Sequence, residues 1–151
     1  MNGDYEPMTE YNYVAKYEDT ISVAFYVSDP KLFPIGKEME KINKDAKMNG
    51  YNWEAFFNYY LRKYFPDVCA GMQTDPENGM YAAYYETTPE NEKRAEQFSN
   101  IINDLIENED ELYRIVREEG DSIEWDCFEI SDDAVKKLME ELGIMTDGLK
   151  E

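Results

Sequence analysis

The chain predicts an α+β domain, with a small antiparallel sheet of about four strands in two hairpins packed by about five helices. Three observations carry this. Two period-2 stretches, Tyr11 to Tyr17 and Ile21 to Val27, are joined by a short turn at Glu18-Asp19-Thr20. A wide apolar stripe runs at helical spacing from Trp53 to Tyr64. The elements read ββααββα, then α, an unassigned segment and a last α. That order is not the strict alternation of parallel βαβ units.

Residues 1–9 read as a flexible N-terminal lead-in, and 10–151 as a single domain. In the first strand Tyr11, Tyr13, Ala15 and Tyr17 fall on one side, and Asn12, Lys16 and Glu18 on the other. Asp29-Pro30 ends the first hairpin, and Pro34-Ile35-Gly36 marks a loop. Residues 37–48 then predict a surface helix with Met39, Ile42 and Ala46 inward. The next helix is the clearest element. Asn52 is its expected cap, Glu54 sits in its first turn, and Trp53, Phe56, Phe57, Tyr60, Leu61 and Tyr64 make its buried stripe. Pro66 stops it.

Val68 to Thr74 is an expected strand and Met80 to Tyr85 its return. Asp75-Pro76-Glu77-Asn78-Gly79 is the turn between them, with Asn-Gly supplying positive φ. Thr88 caps the following helix with Pro89 at its first position, and Ala95, Phe98, Ile102 and Leu105 form the inner face. Asn108 to Glu119 is a more acidic helix ended by Gly120. Ser122 to Ile130 fits an edge strand or a packed loop, and Ser131 caps a last helix that Gly143 closes.

Charge narrows the function. The chain has 34 Asp+Glu against 15 Lys+Arg, a net charge of −19, and no histidine. Such a charge repels nucleic acid and anionic membrane and attracts basic partners. Residues 88–151 hold 20 acids and 7 bases, against 14 and 8 in residues 1–87. Lys37, Lys41, Lys44 and Lys47 line one helix, but acids alternate with them, so no nucleic-acid site is expected. No apolar run is long enough to span a membrane, and the N-terminus lacks the pattern of a signal peptide, which points to the cytoplasm.

Catalytic equipment is sparse. The commonest general base and neutral metal ligand is missing with histidine. Cys69 and Cys127 have no metal-ligand spacing and read as reduced thiols. Asp75 and Glu77 invite a carboxylate mechanism but sit in a predicted turn with no apolar wall to raise a pKa. The run Glu107-Asn108-Glu109-Asp110-Glu111 reads as a helix start enriched in acids. No cofactor and no metal site are expected. A carboxylate array can, however, imitate a phosphate backbone and occupy the basic cleft of a nuclease.

One resemblance sharpens this. Gly50-Tyr51-Asn52-Trp53-Glu54-Ala55, then Phe65-Pro66-Asp67, then Asp75-Pro76-Glu77-Asn78-Gly79-Met80-Tyr81 form a pattern. It is a GxxWE helix start, a Pro-Asp after that helix, and a D-P-E turn leading into an aromatic strand. This resembles one of the bacterial immunity-protein families that neutralise polymorphic toxins. The resemblance covers residues 50–86, and the later helices more loosely; residues 1–49 and 120–130 show no quotable match. It implies a non-enzymatic bacterial cytoplasmic protein, made beside a toxin gene, that binds the cognate toxin domain and blocks it. Gly50, Trp53, Glu54, Asp75, Pro76 and Glu77 are expected to serve the fold first.

The expected contacts to a basic toxin domain are the acids Glu107, Glu109, Asp110, Glu111, Glu118 and Glu119, together with the strand tyrosines Tyr81, Tyr84 and Tyr85. Tyrosine suits an interface because it offers large area and a polar tip at low entropic cost. Two other readings fit the residues less closely: a carboxylate-based hydrolase, and a non-enzymatic regulatory or adaptor domain.

Overall fold

A computed structural model describes residues 4–7 and 10–126. The strands are Asp4–Pro7 (β1), Asn12–Lys16 (β2), Thr20–Tyr26 (β3), Gln73–Glu77 (β4) and Met80–Glu86 (β5). The helices are Leu32–Ile42 (α1), Gly50–Tyr64 (α2), Pro89–Glu107 (α3) and Glu109–Glu119 (α4), with short 3-10 turns at Pro66–Cys69 and Gly120–Ser122. The α+β class and the antiparallel sheet are as expected. The sheet order is β1-β2-β3-β5-β4, antiparallel throughout, so the two hairpins meet at β3 and β5. Residues 4–7, expected in the lead-in, pair with β2 and add a strand. The expected helix after Ser131, and Cys127, lie outside the described residues.

The core forms where the aromatic stripe of α2 meets β3 and β5. Trp53, Phe56, Phe57 and Leu61 are fully buried, as are Phe25, Tyr81 and Phe98. The Trp53 ring meets Phe25 edge-on at 4.9 Å and stacks on Phe57 at 5.6 Å. Phe57 then reaches Tyr81 at 5.4 Å and Phe98 of α3 at 5.3 Å. Edge-to-face and offset geometries of this kind add to the free energy of burial.

Several local expectations shift. The first helix begins at Leu32, five residues early, and contains Pro34 and Gly36. Pro34 falls in the first turn, where a backbone N–H has no intrahelical partner to lose. Gly36 lets the loop after the helix come close, since a β-carbon there would lie 3.2 Å from that of Met48. The helix ends at Ile42, and Ala46 is buried from a loop instead.

Asn49, not Asn52, caps α2: its side chain accepts from the Asn52 N–H at 3.0 Å. Asn52 is buried one turn in. Its amide donates to the Lys47 carbonyl at 2.8 Å and accepts from the Asp126 N–H at 2.6 Å, pinning two loops to the helix. Thr88 caps α3 as expected, accepting from the Asn91 N–H at 3.1 Å. The segment from Gly120 to Asp126 is a packed loop, with Ile123 buried and the Trp125 indole donating to the Gly120 carbonyl.

The strand expected from Val68 to Thr74 is a 3-10 turn followed by β4, and Asp75, Pro76 and Glu77 are strand residues rather than a turn. Only Asn78 and Gly79 remain between β4 and β5, and neither has positive φ; among the described residues only Gly71 does, at 74°. The Asn78 and Gly79 carbonyls instead accept from Gly50 and Ser28, so contacts to α2 and to the end of β3 hold the turn. Pro76 is tolerated because β4 is an edge strand.

Candidate functional site

The acidic helices come first, since most expected contacts lie there. Glu119 is largely enclosed between α2 and α4. It accepts from Tyr59 Oη at 2.6 Å, Lys63 Nζ at 2.5 Å and Tyr64 Oη at 2.5 Å, and lies 3.6 Å from Arg114. The Lys63 hydrogen bond, then those of Tyr59 and Tyr64, hold its carboxyl down at about 2. Glu111 takes a two-pronged bond from Arg114 at 2.8 and 2.9 Å, which holds its carboxyl below the usual range. Arg114 also reaches Glu118 at 3.5 Å. Glu107 accepts from the buried Tyr11 hydroxyl at 2.7 Å and faces Lys31 at 4.0 Å. Of the six acids, Glu109 and Asp110 are exposed in the first turn of α4, where the helix dipole favours them. Glu119 is therefore a clamp between helices, a role that sequence position alone does not show.

The tyrosines divide by strand alternation. Tyr81 and Tyr85 point into the core and are 0 % and 2 % exposed, so neither offers its ring to a partner. The Tyr85 hydroxyl donates to the Val68 carbonyl at 2.6 Å, and burial pushes its pKa up. Tyr84 alternates to the opposite face and is half-buried there.

That opposite face is defined by register. α2 packs against β4 and β5 and α3 against β2, β3 and β5, on the side of the sheet that carries Phe25 and Tyr81. Rows across the outer face run Tyr13, Ala24, Ala82, Asp75 and, beside it, Tyr26, Met80, Glu77. Ala24 and Ala82 are buried, while Tyr13, Tyr26, Met80 and Tyr84 around them are half-buried. Tyr13 and Tyr26 pack at 5.5 Å and share a hydrogen bond between their hydroxyls. Burial raises the Tyr84 hydroxyl, as does its hydrogen bond to Asp75 and the nearby charge of Glu77. Asp75 and Glu77 are exposed and enter no ion pair among the described residues.

Tyr13, Tyr26 and Met80 were not singled out from sequence. Their signal is the second phase of the strand alternation, the one left when the apolar phase is assigned to the core. In β2 the phases are reversed from the usual order. Asn12 and Lys16 face the helices, where Asn12 donates to Ala24 and accepts from Ser99 Oγ at 2.5 Å, and Lys16 pairs with Glu96 at 3.2 Å.

The motif residues cluster where α2 meets the second hairpin. The Gly50 N–H donates to the Asn78 carbonyl at 3.0 Å, and Thr74 Oγ1 donates to Glu54 at 2.5 Å. Glu54 lies beyond the first turn of α2, so its role is this bond to β4 rather than a dipole contact. Asp67 of the Pro-Asp step is held by Arg94 through its carbonyl at 3.0 Å and its carboxylate at 3.3 Å. Gly50 and Glu54 thus join α2 to the second hairpin.

Residues 13–121 match the family described as immunity protein 51. The chain belongs to that family. The match runs from β2 through α4, so it reaches well upstream of the residues that carried the resemblance in the sequence. No curated protein and no solved structure matches the chain.

Among the described residues no group of His, Cys, Asp and Glu is arranged to hold a metal ion. Burial raises the Cys69 thiol, which disfavours the nucleophilic thiolate. No helix among the described residues is long and apolar enough to cross a membrane.

Proposed function

We propose that this immunity protein 51 family member binds the cognate toxin domain of a bacterial polymorphic-toxin system and neutralises it by occlusion, without catalysis, in the cytoplasm of the producing cell. The family match over residues 13–121 carries the reading. The net charge of −19 supports a basic toxin, because long-range attraction speeds encounter and favours a complementary surface. A nuclease domain, built to hold phosphates, is one such surface. The carboxylates that suggested a hydrolase lie side by side on one face of an edge strand, which suits contact better than acid–base work.

Co-expression tests this. The toxin domain encoded beside this chain is induced in a bacterial host with and without it. Survival that requires the chain, together with a complex that survives gel filtration, is the expected result. Equal killing in both cultures, with no complex, refutes the reading.

A further inference from the structure

We infer that the toxin docks on the outer face of the sheet, and that the part received there is a Lys/Arg-rich surface. The inference rests on the immunity reading and adds to it a place and a chemistry.

The argument starts from where the bases are. On the helical side Glu90, Glu92, Asp104, Glu109 and Asp110 enter no ion pair among the described residues, but Glu96, Glu107, Glu111 and Glu119 each face a lysine or arginine of this same chain. A basic partner would have to displace those pairs. On the outer face the register places Asp75 and Glu77, with Glu86 at the far end of β5, and no lysine or arginine among the described residues of β3, β4 and β5. Asp75 and Glu77 are thus carboxylates without a countercharge, fixed on a rigid strand. A cation arriving there gains a partner and meets no like charge.

The neighbouring side chains suit the same occupant. Tyr26 and Tyr84 are half-buried on this face, and Met80 adds an adaptable thioether. A guanidinium or ammonium resting on a tyrosine ring is attracted by its quadrupole while its charge reaches the carboxylate beside it. None of these residues belongs to the aromatic core described above, so the surface can change without unfolding the protein.

Calorimetry with the toxin domain encoded beside this chain, at physiological salt, tests the inference. The outer-face variant is Asp75→Lys/Glu77→Lys, with Tyr84→Ala beside it. The control is Glu109→Lys/Asp110→Lys, which makes the same charge change on α4. We expect the outer-face reversal to weaken binding by about 100-fold or more and Tyr84→Ala by about tenfold, with the control within about threefold of wild type. An outer-face reversal within about threefold of wild type overturns the docking site while leaving the immunity reading intact. Absence of binding by the wild type itself overturns the immunity reading instead. Should the reversal fail to fold by circular dichroism, hydroxyl-radical labelling of the wild type decides. Tyr26, Met80 and Tyr84 are expected to be protected in the complex, and unchanged labelling overturns the proposal.

Discussion

A β-carbon on Gly50 would lie 1.8 Å from the carbonyl oxygen of Glu77, and 2.3 Å from that of Met80. The start of α2 and the turn between β4 and β5 are therefore in backbone contact, with the Gly50 N–H bonded to Asn78 across the join. This explains why the two halves of the sequence pattern, GxxWE and D-P-E, occur together. Each is one side of the same junction, and Glu54–Thr74 closes it a turn further on.

Gly50→Ala should accordingly be among the most damaging small substitutions. Both close atoms are backbone, so the hairpin or the helix must move, at a cost of about 3 kcal/mol or more. Gly71→Ala is the contrast. Its β-carbon meets nothing within 4 Å, and only its φ of 74° is strained, which costs about 1 kcal/mol. Urea denaturation of both variants checks the order; similar midpoints would contradict the contact.

Trp53→Ala should cost about 3–5 kcal/mol, since the fully buried indole contacts Phe25, Phe56 and Phe57 together. Loss of toxin binding without a fall in thermal midpoint would show that Trp53 is a contact residue after all.

Two tyrosines on one strand should respond oppositely to loss of their hydroxyls. Tyr81 Oη is buried with no hydrogen-bond partner among the described residues, so Tyr81→Phe should be neutral or stabilising by about 1 kcal/mol. Tyr85 Oη serves the Val68 carbonyl, so Tyr85→Phe should destabilise by about 1–2 kcal/mol. Paired chemical melts settle this, and equal destabilisation would mean that Tyr81 has a partner.

How much of this was legible in the sequence follows from the range of the interactions. The α2 stripe was legible because Trp53, Phe56, Phe57, Tyr60 and Leu61 are set by local spacing, and all five are buried; Tyr64, the sixth expected member, is instead 37 % exposed and donates to Glu119. The antiparallel hairpins were legible for the same reason. The site was not. Whether an acid is available to a partner depends on donors far along the chain: Glu119 is taken by Lys63, 56 residues earlier, and Glu107 by Tyr11, 96 residues earlier. Strand alternation separates Tyr84 from Tyr81 and Tyr85, but which phase faces the helices is decided by α2 and α3. In β2 the polar phase faces inward because Ser99, 87 residues away, satisfies Asn12. Pro34 and Gly36 read as loop residues because a proline in a first turn and a glycine under a packed loop are told apart only by their neighbours.

The Glu119 clamp predicts acid sensitivity. Its carboxyl is held at about 2 in the fold against an ordinary value of 4.5. A depressed carboxylate contributes its stability fully above the unfolded value and loses it as pH falls through the folded one. Stability should therefore decline from about pH 4.5 towards pH 2 as Tyr59, Lys63 and Tyr64 lose their charged acceptor. Glu119→Gln should be less stable at neutral pH and show a flatter profile in that window. A variant with an unchanged acid limb would place the sensitivity in other carboxylates.

Charge should also govern the speed of association, and here two acidic regions separate. The net charge of −19 makes a negative field around the molecule, screened over about 8 Å at physiological salt. The on-rate for a basic toxin domain should thus fall steeply as salt rises, while the off-rate, set by short-range packing, changes less. Glu109→Lys/Asp110→Lys alters the field from a distance and should slow association alone. Asp75→Lys/Glu77→Lys alters both the field and the contact, so it should slow association and speed dissociation together. Exposed carboxylates contribute little to stability, and neither variant should melt far from wild type. Stopped-flow association and chase experiments at several salt concentrations resolve the two effects. If the α4 variant is the one whose off-rate rises, the contact lies on the acidic helices, and the tyrosine face of the sheet is solvated surface.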